Sequence, residues 1–126
     1  MSWIEDKVKQ YVRSLYFEAY GEASRILDKL RELKGKGEYS EGRFYALQGL
    51  LVAAQRGDKE ALFLKVRDQM EVNEIRKVRE ELSARIKSPV VDDFDRGFFE
   101  QWLEVLDQLI ELKEKEPRGR GEGSSK

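Results

Sequence analysis

Apolar residues recur at spacings of three and four along the first part of the chain. They form one stripe on a helix from about residue 3 to residue 34, made of Ile4, Val8, Val12, Leu15, Ala19, Ala23, Ile26, Leu30 and Leu33. Gly21 interrupts the run, but the stripe keeps its angular phase on both sides of it. We therefore predict one long helix ending at Gly35, or two helices if Gly21 breaks it.

The second predicted helix is short and apolar on almost all sides. Ser40 caps it and Gly57 stops it after Arg56. One of its faces is nearly flat, so that a neighbouring backbone can approach closely; this face consists of Gly42, Ala46, Gly49 and Ala53. The pattern predicts a central helix that is covered on several sides.

The third predicted helix begins after Asp58, which caps it, and continues to about Lys87, before Pro89. Its apolar residues change face partway along, since Leu62 to Met70 and Ile75 to Ile86 follow different stripes. The rotation indicates that the two halves contact different neighbours.

The fourth predicted helix opens at the acidic stretch Asp92 to Asp95, where negative charge suits a helix N-terminus. Two apolar seams then cover about half of its circumference, which is broader than the stripe of a surface helix. The seams consist of Phe98, Trp102, Val105, Leu109 and Leu112, and of Phe99, Leu103, Leu106 and Ile110. Residues 116–126 contain no apolar residue and are predicted to be a disordered tail.

The fold predicted from these segments is an all-α bundle of four helices, or five if Gly21 breaks the first, in one domain over residues 1–115. The first and third helices would be about 45–48 Å long and the second only about 24 Å. The overhanging apolar faces must bend back, break or meet a second copy. The sequence therefore favours a homodimer.

The composition removes several classes of function. The 126 residues include no cysteine and no histidine, so thiolate nucleophiles, disulfides and histidine metal sites are excluded, and the sequence predicts no cofactor. The charged fraction is 39% with a net charge of −1, and no segment is long and apolar enough for a membrane span. We expect a cytoplasmic protein. Its abundant Lys and Glu, with a single Asn, are typical of thermophiles.

Two pairs of carboxylates give the one recognisable enzymatic pattern. Glu71 and Glu74 form an ExxE motif, and Glu104 and Asp107 form an ExxD motif that is separated from the first by 29 residues. The arrangement resembles MazG-like nucleotide pyrophosphatases, all-α enzymes in which four such carboxylates hold Mg²⁺. The resemblance implies a metal-dependent nucleotide hydrolase, with these four residues as ligands. Helical periodicity, however, places the ExxD pair opposite Trp102, which predicts that both carboxylates face water.

Aromatic residues outside the main stripe favour a different function. Trp3, Phe17 and Tyr20 lie off the stripe of the first helix. Either another layer of the same fold covers them, or they contact a second subunit or an unidentified protein partner. The broad face of the fourth helix, with Phe98, Phe99 and Trp102, suggests the same kind of contact.

The C-terminal tail carries a short basic pattern. Arg118 and Arg120 alternate with glycines, as in RNA-binding segments, but no aromatic residue accompanies them. The near-neutral net charge also argues against nucleic acid as the main partner. The sequence thus favours a non-enzymatic helical interaction or scaffolding protein. A nucleotide pyrophosphatase and a weak nucleic-acid-binding protein are the alternatives.

Overall fold

The computed structural model describes residues 2–117, with side chains from residue 4 onward. This part of the chain contains helices and no strand, which confirms the all-α prediction. The helices are α1 (Ser2–Tyr16), α2 (Tyr20–Leu33), α3 (Glu38–Arg56), α4 (Leu62–Asp68), α5 (Val72–Ile86) and α6 (Asp93–Lys115). Within the described range, no helix is both long and apolar enough to cross a lipid bilayer.

The prediction of a single first helix is wrong, and so is the alternative of a break at Gly21. The chain leaves the helix at Phe17, and Glu18 takes a positive φ of 64°. Gly21 lies inside α2. The reversal makes α1 and α2 a hairpin, in which the Ser14 hydroxyl donates to the Glu22 carboxylate at 2.9 Å. An unbroken apolar stripe does not reveal this reversal, because both helices of a hairpin use the same period.

Arg67 of α4 stabilises this reversal from outside the hairpin. Its guanidinium is buried and donates to the Leu15 carbonyl at 2.9 Å and to the Tyr20 hydroxyl at 2.8 Å. Leu15 lies in the last turn of α1, where carbonyls lack the i+4 partner of a continuing helix, and its carbonyl also accepts from the Glu18 amide at 3.2 Å. The adjacent Asp68 accepts two further hydrogen bonds from the same guanidinium, so the buried charge is compensated.

The predicted third helix is also two helices. Residues 58–61 form a turn, and the chain breaks again between Asp68 and Val72. The side chain of Asp58 accepts from the Glu60 amide at 3.0 Å and thus supports the turn, whereas α4 begins only at Leu62. The change of face within the apolar pattern marks this break between α4 and α5.

The start of α3 differs from the prediction, whereas its end agrees. The helix begins at Glu38 after Gly37, so Ser40 is not its cap. Gly57 ends it in the left-handed conformation, at φ 65°. The expectation that α3 is covered on several sides holds only in part, because one of its faces is exposed.

Helix α6 contacts α3, α5 and α1 and holds the bundle together. It begins as predicted, with the Asp92 side chain accepting from the Asp95 amide at 2.8 Å. Helix α5 runs antiparallel to α6, since Arg76 pairs with Glu114 at 3.1 Å near one end. At the other end, Arg96 donates to the Ile86 carbonyl at 3.3 Å.

Two glycines set the crossing of α3 and α6. A Cβ on Gly42 would collide with the Phe94 carbonyl, and a Cβ on Gly97 would collide with the Tyr39 carbonyl. Their lack of side chains lets the two backbones touch. The flat face of α3 therefore packs within the fold at Gly42 and at the buried Ala46. Gly49, on the same face, is exposed and has no other helix within 4 Å of its would-be Cβ.

The breaks between α1 and α2 and between α4 and α5 remove the mismatch in predicted helix length. The expectation of a dimer depended in part on that mismatch. Both overlong segments fold back within the chain, and among residues 2–117 the longest helix is α6 with 23 residues. A second copy is therefore not needed to cover overhanging helices.

Candidate functional site

The four carboxylates of the ExxE and ExxD motifs occupy separate places. Glu71 and Glu74 form a capping box at the start of α5, where the Glu74 side chain accepts from the Glu71 amide at 2.8 Å. On α6, Glu104 accepts from Arg43 at 2.6 Å, and Asp107 pairs with Arg79 at 2.5 Å. Between residues 2 and 117 there is no group of three or more residues able to hold a metal ion. The carboxylates thus serve as a helix cap and as ion-pair partners.

The aromatic residues of the first segment have different environments. The Tyr20 hydroxyl accepts from Arg67, so this ring belongs to the protein's own core layer. Phe17 is 42% exposed at the reversal, packs edge-on against Tyr16 and lies beneath the Arg13 guanidinium at 5.0 Å. The side chain of Trp3 lies outside the described part of the structure, as do Arg118 and Arg120.

The aromatic residues of α6 extend from the core to the surface. Trp102 is only 9% exposed and packs in the core, whereas Phe98 and Phe99 are half-buried. Phe98 contacts Phe99 edge-on at 5.6 Å and Tyr45 of α3 at 6.0 Å, and Phe94 lies 5.7 Å from Tyr45. Tyr45 is 60% exposed, so this cluster of rings opens to the surface.

Tyr45 also belongs to a surface that we call the α3 outer face. From Phe44 to Gln55, α3 has no charged residue, although 39% of the chain is charged. The exposed residues within this stretch define the face; they are Tyr45, Gln48, Gly49, Val52 and Gln55. Such a surface is unusual for an otherwise highly charged protein, because surface helices normally turn charged residues to water.

Gly49 lies in the middle of this face, is exposed and makes no close contact with another helix. A glycine in an exposed helix interior destabilises the helix by about 1 kcal/mol relative to alanine. Gly42 and Gly97 offset that cost because backbones meet there, but nothing approaches Gly49. The absence of a side chain leaves a flat position between Tyr45 and Val52.

A cleft on another side of α3 has a volume of about 280 Å³. Arg43 lines it and is held by three partners: the Tyr39 hydroxyl at 3.1 Å, the Gln101 side-chain oxygen at 3.1 Å and Glu104. Gln101 is 1% exposed and donates to Glu104 at 3.3 Å. The polar groups of this network satisfy one another, so the network joins α3 to α6.

The hydroxyl of Tyr39 belongs to the same network. Burial raises the pKa of Tyr39 above its ordinary value, and its hydrogen bond to Glu100 raises the pKa further. The phenol therefore stays neutral and donates to Glu100 while it accepts from Arg43. This arrangement fixes Arg43 against α6.

The α3 outer face was not among the sites expected from the sequence. Helical periodicity favours instead the apolar residues off the stripe of α1 and along the seams of α6. The signal for the outer face was the run of twelve uncharged residues from Phe44 to Gln55. The apolar character of this stretch predicts a helix buried on several sides. In the structure, α3 is buried only on the sides that contact other helices.

Comparison of this chain with protein-family models, with curated proteins and with solved structures finds no match.

Proposed function

We propose that this protein is a non-enzymatic helical interaction module that acts in the cytoplasm and self-associates through the α3 outer face. The observation that carries the proposal is the absence of charge on this exposed face, in a chain in which 39% of residues are charged. The cores of protein–protein interfaces are depleted in charged residues and enriched in aromatic ones. Tyr45, at 60% exposure, supplies an aromatic side chain of this kind.

The surroundings of the face support the same function. The rings of Phe94 and Phe98 extend the apolar surface beyond Tyr45, so the contact area is not limited to a single helix. Uncovered apolar surface that is contiguous in this way marks interaction sites. The net charge of −1 means that two copies approach without strong long-range repulsion.

Sedimentation equilibrium over a wide concentration range tests the proposal. We expect the full chain to shift from monomer to dimer, and Val52→Lys to abolish the shift, because it places a charge in the face. Val90→Lys is the matched control, since Val90 is 87% exposed on a loop outside the face. A chain that stays monomeric at all concentrations would contradict self-association, and equal effects of the two substitutions would remove the face from the proposal.

A further inference from the structure

The residues along the α3 outer face are arranged symmetrically about its middle. Tyr45 and Val52 lie at equal distances along the helix from the midpoint between Gln48 and Gly49. Glu41 and Arg56 are the exposed charged residues of α3 just beyond the two ends of this face, and they lie at equal and larger distances from the same point. All of these residues are exposed on one side of α3. The face therefore has matched apolar positions and opposite charges on either side of one point.

We propose, building on the proposed function, that the α3 outer face binds the α3 outer face of a second copy, with the two helices antiparallel about a two-fold axis at Gln48–Gly49. In a two-fold contact the same surface is used by both subunits. An antiparallel pair centred there places Tyr45 against Val52 of the second copy, and Gln48 against Gly49 of the second copy. Both reciprocal contacts form twice.

The charges select this orientation. Glu41 and Arg56 are about 22 Å apart along the helix. In the antiparallel arrangement, Glu41 approaches Arg56 of the second copy at each end of the contact. A parallel arrangement in register would instead bring like charges together, and like-charge contacts oppose association. The Glu41 side chain is 50% exposed and already accepts from Lys34 at 2.6 Å, which leaves its other oxygen available to the second copy.

The glycine at the centre lets the two helices approach closely. A side chain at position 49 would hold the helices apart near the axis, whereas glycine lets the Gln48 side chain of the second copy lie against the backbone. Helix α3 already makes one contact of this kind, where Gly42 meets the backbone of α6. The cost of an exposed glycine at position 49 is then offset in the dimer.

Disulfide cross-linking tests the position of the axis, because the chain has no cysteine of its own. We expect Gln48→Cys to form a covalent dimer rapidly under mild oxidation, since two residues beside the axis fall within the ~7 Å Cα separation that a disulfide requires. Gln55→Cys is the matched control. It is an exposed glutamine on the same face, but its two copies would be about 20 Å apart along the axis direction.

Charge reversal tests the orientation. Glu41→Arg and Arg56→Glu should each weaken dimerisation about tenfold, and the double variant should restore it to within about threefold of the parent. Loss of the bond between Lys34 and Glu41 cannot explain such a rescue, because Arg56 takes no part in that bond. Circular dichroism confirms that each variant keeps its helices.

The outcomes separate this inference from the proposed function. A dimer that does not cross-link at position 48, or that cross-links equally at position 55, would overturn the axis and leave self-association in place. A double charge reversal no better than the single ones would overturn the antiparallel orientation. A parent chain that is monomeric at every concentration would overturn the inference together with the self-association on which it rests.

Discussion

Replacing Gly97 with alanine tests the crossing of α3 and α6 directly. The new Cβ would collide with the carbonyl of Tyr39, and the corresponding change at Gly42 would bring a Cβ into the carbonyl of Phe94. Both obstacles are backbone groups of packed helices, so neither can rotate away as a side chain would. The helices must separate to relieve the collision.

Two opposing effects determine how much Gly97→Ala changes the free energy of unfolding. Overpacking a well-packed core costs about 1–3 kcal/mol, and a collision with backbone falls at or above the upper end of that range. Alanine stabilises a helix interior by about 1 kcal/mol relative to glycine. We therefore expect Gly97→Ala to lower the free energy of unfolding by about 2 kcal/mol. Separation of the helices should also weaken the Arg43–Glu104 pair, now 2.6 Å long.

Urea denaturation monitored by circular dichroism measures this effect. Gly21→Ala is the matched control, because Gly21 lies inside α2 and the nearest atom to its would-be Cβ is on the Arg25 guanidinium, 4.0 Å away. Because Gly21 lies in the first turn of α2, the control should keep the free energy of unfolding or raise it by at most about 1 kcal/mol. If Gly97→Ala were as stable as Gly21→Ala, the close backbone contact would be refuted.

Three further predictions test other parts of the structure. Burial raises the pKa of Tyr11, whose hydroxyl donates to the Leu47 carbonyl. The unfolded chain ionises first, so this contribution to stability is complete below pH ~10 and falls by about 1.4 kcal/mol per pH unit above it. Denaturation curves should show a weaker alkaline loss for Tyr11→Phe, and an unchanged slope would contradict this. Arg67→Met should cost about 2–4 kcal/mol in urea denaturation because it removes the bonds across the reversal between α1 and α2; a loss below about 1 kcal/mol would be inconsistent with that role. Asp92→Ala should lower stability by about 1 kcal/mol in thermal melting by removing the cap of α6, whereas no change would mean that the cap is dispensable.

The helical periods predicted most of the secondary structure, because amphipathic faces are a local property of the sequence. Helix α6 was predicted almost to the residue, since Asp92 both caps it and ends the preceding loop. The reversal at Glu18 was not predicted, because its stabilising partner, Arg67, lies 52 residues after Leu15. The break between α4 and α5 coincides with a change of apolar face between Met70 and Ile75 that is visible in the sequence. This change predicts different neighbours for two halves of one helix as readily as it predicts two helices.

The candidate surface could be predicted only in part, for a similar reason. The absence of charge from Phe44 to Gln55 is visible in the sequence, but charge-free helices occur both in buried cores and at interfaces. Only the packing of α2 and α6 against α3 decides which side remains open. The partners of Glu104 and Asp107 likewise depend on helices distant in sequence, since Arg43 and Arg79 lie on α3 and α5.

The position of α6 has a consequence for folding. This helix follows the others along the chain, yet α1, α3 and α5 all pack on it. During synthesis, the hairpin of α1 and α2 can form from local contacts, whereas α3 and α5 keep apolar residues exposed until α6 emerges. The nascent chain therefore exposes the most apolar surface just before α6 is synthesised. The many Lys, Arg and Glu residues along α5 would keep this intermediate soluble, in addition to stabilising the final fold.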